Sequence, residues 1–314
     1  MFFEGTEKKF ELAVDAALPS LRGLGDEFWN SVVRAAGAEI ISKMGGSHCD
    51  AYLLSESSLF VFEHKLIMIT CGRTRLPDAV ERVLERIPSE QVTFFVYERK
   101  NEIFPHSQPT SFFDDARVLS RRLPGRAFQF GEEDEHHLYL FHLDRPYAGD
   151  PQDTTLELLM HGIDANVWKL VSGGPGESTT SLRRRLGIES ILPGFQLDDH
   201  LFEPAGYSLN AIRDERYWTV HVTPDPLRSY VSFETNHRSD DGWEAVVHRV
   251  LEVFRPRSFD IVLFDQSIAG EIALSQYRLK AHVARDLECG YSVDFMNFYR
   301  PRPGLRRPIE IPVD

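Results

Sequence analysis

The chain has 314 residues, 42% of them hydrophobic, and a formal net charge of −13. Length and apolar content suffice for a sizeable core in one large domain or two ordinary ones. The acidity argues against a nucleic-acid binder, which needs a basic face to displace counterions from phosphates, and suits cationic small molecules instead.

From the N-terminus, Met1-Phe-Phe-Glu-Gly-Thr-Glu-Lys-Lys lacks the basic segment and apolar stretch of a secretion signal. Phe10, Leu12 and Val14 then alternate with Glu11, Ala13 and Asp15, which predicts a strand. A helix is expected over 26–37, where Phe28, Trp29, Val32 and Val33 share one stripe. Strands follow at 51–54 and 59–70, separated by the polar residues Ser55-Glu-Ser-Ser without the Gly, Pro or Asn of an ordinary tight turn. Pro77 opens a helix over 77–87, with Val80, Val83, Leu84 and Ile87 on one face. Strands at 92–97 and 137–143 lead to Asp144-Arg-Pro-Tyr-Ala-Gly-Asp-Pro-Gln-Asp, the best junction between two halves, about 1–148 and 149–314. In the second half Tyr217, Thr219, His221 and Thr223 alternate with Trp218, Val220 and Val222. Strands at 229–235 and 259–265 flank a helix over 242–254. Strands in series with intermittent helices indicate an α+β fold with antiparallel sheets.

Most motifs read plainly. Gly173-Gly-Pro-Gly lacks the Lys-Ser/Thr of a phosphate loop and is expected to be a surface turn. Glu132-Glu-Asp-Glu-His-His raises a metal site, but adjacent strand histidines point to opposite faces, so a solvated acidic turn is the better reading. Arg183-Arg-Arg reads as an exposed helix surface. Cys49, Cys71 and Cys289 have neither metal-ligand spacing nor the density of a disulfide scaffold, which points to a reducing, cytoplasmic compartment. No apolar run approaches the ~20 residues of a membrane span. Taken singly, Ser57, Cys71 and His221 are better read as a strand bulge and half-buried structural side chains than as chemistry.

Six co-linear stretches change that balance: Phe2-Phe-Glu-Gly-Thr-Glu-Lys, Tyr52-Leu-Leu-Ser-Glu-Ser-Ser, Thr70-Cys-Gly, Gly206-Tyr-Ser-Leu-Asn, Tyr217-Trp-Thr-Val-His-Val-Thr-Pro and Ser229-Tyr-Val-Ser-Phe-Glu-Thr-Asn. In order and spacing, over essentially the whole chain, they resemble the eukaryotic-type S-adenosylmethionine decarboxylases. The resemblance implies a four-layer α/β/β/α sandwich of two stacked antiparallel sheets flanked by helices, in one domain of two similar halves, each supplying part of both sheets. It also implies self-cleavage between Glu56 and Ser57 into chains 1–56 and 57–314 that stay associated. Ser57 would become a pyruvoyl group that holds substrate as a Schiff base and accepts electrons when carbon dioxide leaves, with neither metal nor pyridoxal phosphate.

Carried over residue by residue, His221 matches the base of self-processing, a task suited to an imidazole titrating near neutral pH. Ser208 matches the serine that hydrogen-bonds the processing intermediate, and Cys71 the proton donor to the substrate α-carbon. Phe3 and Phe202 match the aromatic pair around adenine, Leu54 a further substrate contact, and Glu4 and Glu7 two active-site carboxylates. Asp225 stands where the family usually has a glutamate holding the ribose. Glu11, Asp153, Thr155, Glu157 and Glu234 match an acidic cluster that binds putrescine in some members. Ile69 replaces a common lysine there, and Val96 and Glu98 replace a Phe and a Ser. Loss of that lysine would leave like charges uncompensated, so a diamine is still expected to bind.

The expected activity is therefore decarboxylation of S-adenosylmethionine to supply the aminopropyl donor of spermidine and spermine synthesis. A self-processing decarboxylase of ornithine or arginine and an inactive regulatory paralogue are the alternatives. Homodimerisation is left open, and neither nucleic acid nor membrane is expected as a partner.

Overall fold

The computed structural model describes residues 7–301 apart from 103–104, 133–134, 148, 150–152, 173–177, 204, 224–228, 266–271 and 273. The first half forms β1 (Glu7–Val14), α1 (Asp26–Ala35), β2 (Ile40–Gly45), β3 (Cys49–Leu54), β4 (Ser57–Phe62), β5 (Lys65–Thr70), α2 (Leu76–Leu84), β6 (Val92–Lys100), α3 (Phe112–Ser120), β7 (Gly125–Gly131) and β8 (His137–Leu143). The second forms β9 (Thr155–His161), α4 (Ala165–Val171), α5 (Thr179–Leu186), β10 (Gln196–Leu201), β11 (Tyr207–Arg213), β12 (Arg216–Thr223), β13 (Tyr230–Thr235), α6 (Gly242–Phe254), β14 (Ser258–Asp265), β15 (Arg278–Asp286) and β16 (Ser292–Tyr299).

These strands make two eight-stranded sheets, ordered β2-β3-β4-β5-β1-β6-β8-β7 and β10-β11-β12-β13-β9-β14-β16-β15. Numbered within its own half, each sheet has the same order, and every pairing is antiparallel. The expected sandwich is present, with one correction. Each half builds one complete sheet and contributes nothing to the other's ladder, because short antiparallel connections keep consecutive strands in one sheet.

Strand β1 shows how the alternation works. All eight of its residues are buried. Phe10, Leu12 and Val14 pack with Trp29 and Val32 of α1 and Val80 and Val83 of α2 on the outer face. Ala13 faces the other sheet with Phe94, Val262 and Phe295, and Lys9 reaches Glu157 and Glu234 of that sheet. The period of two thus separates a helix-covered face from a sheet-covered face, and both are dry. The second half repeats the arrangement, with α4, α5 and α6 over β9, β11, β12 and β13.

Other departures have local causes. The expected strand 59–70 is two strands around a turn at Glu63 and His64. The edge strands β2, β7, β10 and β15, half-exposed or exposed along most of their length, carry too little apolar alternation to announce themselves. Arg183 does not simply face solvent, since its Nε lies 3.4 Å from Asp199 and 3.5 Å from Glu189. Gly173-Gly-Pro-Gly lies outside the described residues. Among the described residues no helix is long and apolar enough to cross a membrane.

Candidate functional site

Leu54 of β3 is paired directly with Ser57 of β4, so Ser55 and Glu56 form a two-residue hairpin loop. Such loops usually place positive φ angles at their central residues, supplied by Gly or Asn. Here the positive φ, 145°, falls on Ser57 instead. A side chain held in that region stores on the order of 1–3 kcal/mol that the surroundings must offset. The Ser57 hydroxyl is buried and has no hydrogen-bond partner. Next to it, the Glu56 carbonyl accepts the Cys71 N–H at 2.9 Å and the Cys71 thiol at 3.3 Å. Two donors on one carbonyl withdraw electron density from its carbon and are aimed where negative charge would collect on attack.

Cys71 directly follows β5, half-buried. Burial, reinforced by the Glu56 and Glu7 carboxylates, holds its thiol far above the usual range, so it stays protonated. Burial likewise raises the Glu56 carboxyl. The loop after Cys71 is pinned by Lys8, whose fully buried ammonium donates to the Gly72 carbonyl at 2.9 Å and the Thr74 carbonyl at 2.8 Å. Burial, with Arg99 nearby, brings Lys8 down to about 8.

From the facing sheet, His221 of β12 sits opposite Ser208 of β11, with Nδ1 2.8 Å from its hydroxyl. His221 Nε2 meets Thr219 Oγ1 at 2.8 Å and, across the sheets, Ser58 Oγ at 3.1 Å. Ser58 also donates to Asn210 Oδ1 at 2.5 Å, and the Asn210 amide donates to the Tyr52 carbonyl at 3.1 Å. Burial lowers His221 to about 3, so the ring is neutral through the physiological range and does not titrate near neutral pH as expected.

The site thus brings together Leu54, Glu56, Ser57, Cys71, Ser208 and His221. Glu7, at the start of β1, is buried and accepts from Lys100 at 3.1 Å. Phe202 follows β10, its N–H bonded to Gly206 O at 2.9 Å and its ring 4.8 Å from that of His200. Phe3, Glu4 and Asp225 lie outside the described residues. Sequence reasoning missed Ser58, Asn210, Thr219 and Lys8. Asn210 and Thr219 were legible in the period of two, since Asn210 lies two residues from Ser208 and Thr219 two from His221 on the same strand faces.

The matched acidic cluster lies between the sheets, one strand over. Lys9 Nζ is 2.7 Å from Glu157, 3.1 Å from Glu234 and 3.9 Å from Glu98. Lys100 Nζ is 2.6 Å from Glu157 and 3.8 Å from Glu98. Lys65 spans Asp153 at 2.8 Å and Glu11 at 3.4 Å, and Tyr217 donates to Glu234 at 2.5 Å. Although burial pulls the other way, Lys100 and Lys9 hold Glu157 below its usual range. Burial and then Glu157 push Glu98 up to about 8, while burial drives Glu234 to about 7. Ile69 is buried with Phe60 and Tyr217. The expected uncompensated acid cluster is therefore corrected, because Lys9, Lys65 and Lys100 supply ammonium groups from within the chain.

The chain belongs to a known family. A sequence profile of the family described as adenosylmethionine decarboxylase matches residues 1–299. The relative named S-adenosylmethionine decarboxylase proenzyme from Dictyostelium discoideum is 32% identical, over 94% of this chain and 85% of its own. Those of the same name from Leishmania donovani and Xenopus laevis are 35% and 36% identical, over 83% and 84% of this chain and 73% and 83% of theirs. A crystal structure titled Trypanosoma brucei AdoMetDC-delta26 monomer superposes with a TM-score of 0.61 and 25% identity, over 78% of this chain and 99% of that one.

Proposed function

We propose that this chain decarboxylates S-adenosylmethionine, supplying the aminopropyl donor of spermidine and spermine synthesis, with a pyruvoyl group made from Ser57. The observation that carries the reading is the Glu56–Ser57 junction: a strained Ser57, a buried unpartnered hydroxyl, and a neighbouring carbonyl held by two donors from Cys71. In the first step Ser57 Oγ bonds to the Glu56 carbonyl carbon, the C–N bond breaks, and the hydroxyl proton passes to the Ser57 nitrogen. That exchange of amide for ester releases the φ strain and is favoured by the charge the Cys71 N–H stabilises on the carbonyl oxygen. His221, neutral and one residue away at Ser58, then takes the Ser57 α-proton as the Glu56 carboxylate leaves the β-carbon. Water adds to what remains and ammonia departs, which yields the new N-terminal group of 57–314. Ser208 holds the ring through Nδ1.

The finished group supplies an electron sink for the departing carbon dioxide. The chain's own residues do the rest. Cys71, kept protonated, returns a proton to the substrate α-carbon; Phe3, Leu54 and Phe202 contact the nucleoside, Asp225 the ribose, and Glu4 and Glu7 the cationic substrate. Intact-mass spectrometry under denaturing conditions tests the proposal. Wild type should give two chains split between Glu56 and Ser57, the larger lighter by one ammonia than a serine-terminated chain, and Ser57→Ala a single chain. Carbon dioxide should be released from S-adenosylmethionine and not from ornithine or arginine. An uncut wild type, or release from another amino acid, would overturn the reading.

We infer further that the acid cluster around Glu11, Asp153, Thr155, Glu157 and Glu234 works without an added diamine. Its cations are internal, and the cavity between Lys9, Glu11, Glu98 and Asp153 measures about 10 Å³, room for one water at most. Decarboxylation should stay flat across a putrescine titration, with no binding heat. A rise in rate would sink the inference.

A further inference from the structure

Outside this site, three side chains far apart in sequence converge at the rim of the sandwich. His136 immediately precedes β8 of the first sheet, His161 ends β9 of the second, and Asp260 lies in β14 beside it. Each offers one ligand atom, and these atoms all lie within 4.8 Å of one another. His136 Nδ1 is 2.9 Å from both Asp260 oxygens, and His161 Nε2 is 4.0 Å from Oδ2. The two imidazoles meet edge to face at 4.7 Å.

We propose that His136, His161 and Asp260 form a binding site for a first-row divalent transition-metal ion of the zinc and cobalt class, tying one sheet to the other. Tetrahedral ligands at ~2.0–2.2 Å from such an ion stand ~3.3 Å from one another, within the spread already present. Two imidazoles and one carboxylate select these ions over magnesium and calcium, which take oxygen ligands.

The surroundings are arranged as a supporting shell. Asn101 donates to Asp260 Oδ2 at 2.7 Å and Asn297 donates to Oδ1 at 2.7 Å, fixing the carboxylate. Asn101 Oδ1 accepts the His137 N–H at 2.9 Å, which settles which end of that amide points inward. The amide nitrogen faces His161 Nε2 at 3.4 Å, so that ring nitrogen is unprotonated and accepts from Asn101, a lone pair that an ion would take over on binding. Asp260 is fully buried, while the His136 and His161 side chains are 29% and 21% exposed. An ion can therefore enter from solvent and keep a water in its fourth position. On binding it replaces the hydrogen between His136 Nδ1 and Asp260, with release of one proton. The adjacent His137 instead directs Nδ1 to the Glu135 carbonyl. Adjacent histidines do diverge, and the real partners of His136 come from the other sheet.

The test is a cobalt titration of chelator-stripped full chain, followed by visible absorption, with zinc competition by calorimetry. One ion per chain should bind, zinc should displace it, and magnesium should not. His161→Ala and His136→Gln should each weaken binding at least 100-fold, and Asn297→Ala about 10-fold through the supporting shell. Circular dichroism and melting curves identify folded variants; His136→Gln, in a loop and partly exposed, keeps the test usable if His161→Ala misfolds. No saturable cobalt or zinc binding by wild type, or equal binding by a folded His136→Gln, would overturn the proposal.

Discussion

Two polar regions lie between the same pair of sheets and are built on opposite principles. Around His221 every hydrogen-bond partner is neutral: Ser58, Ser208 and Thr219. One strand over, Lys9, Lys65 and Lys100 meet Glu7, Glu11, Glu98, Asp153, Glu157 and Glu234. Among neutral partners the buried imidazole stays unprotonated, because desolvation disfavours the imidazolium and no carboxylate bonded to the ring offsets that. A region whose task is to fasten two sheets gains from strong, directional charge pairs even though burial penalises each ion. Keeping the two apart gives each its own electrostatic environment within a few strands.

If the contrast is right, substitutions in the two regions separate chemistry from stability. The largest effect belongs to the neutral region. His221→Ala should slow cleavage by ~10²–10⁴-fold, beyond the ~1–3 kcal/mol of stability lost with its bonds to Ser58, Ser208 and Thr219, and the stalled chain should be cut by hydroxylamine, which attacks esters and spares amides. Lys100→Met should do the reverse. It removes the ion pair of Glu7, leaves Glu157 with Lys9 alone and costs ~3–5 kcal/mol in chemical denaturation, while protein that does fold cleaves at the normal rate. Ser58→Ala lies between, leaving Asn210 and His221 each short of a partner at ~1–3 kcal/mol, and its cleavage should slow as the ring loses its tether across the sheets. A Lys100→Met protein that folds normally but fails to cleave would erase the distinction.

The smallest effect is on pH. Glu98 and Glu234, raised to about 8 and about 7 from an ordinary 4.5, bind protons more tightly folded than unfolded. Their contribution is complete below about 4.5 and is lost as pH rises through 7 and 8. Wild type should therefore lose melting temperature as pH rises from about 4.5 to about 8, at ~2–4 °C per kcal/mol. Glu98→Gln, a permanent mimic of the protonated acid, should flatten that fall. An unchanged slope would place the proton elsewhere.

Much of this was legible in the sequence, for reasons that differ by residue. The alternation at 10–15 and 217–223 located central strands because each of their faces packs against a different layer. β15 was invisible because a half-solvated edge needs no apolar face. The hairpin at Ser55 and Glu56 looked anomalous for lack of a glycine, and that anomaly was the signal, since the strain was displaced onto Ser57. The lysine network was hidden. Lys9 and Lys100 sit on strands whose partners lie far away in the chain, and nothing local says that a charged residue faces a dry interface.

One feature bears on how the protein comes into being. Strand β1 lies in the middle of its sheet, between β5 and β6, and β3 keeps six register pairs with β4. A cut between Glu56 and Ser57 leaves 1–56 woven through 57–314 with every strand pairing intact. Continuity of the backbone is then needed to find the fold, by making β3 local to β4 and by tethering β1 to the distant β5 and β6 as one molecule, and is dispensable for keeping it. Two separated pieces would have to insert a central strand into a sheet missing its middle. If the chain is cut there, maturation is a ratchet: it assembles once, as a single molecule, and the cut form has no short road back from the unfolded state.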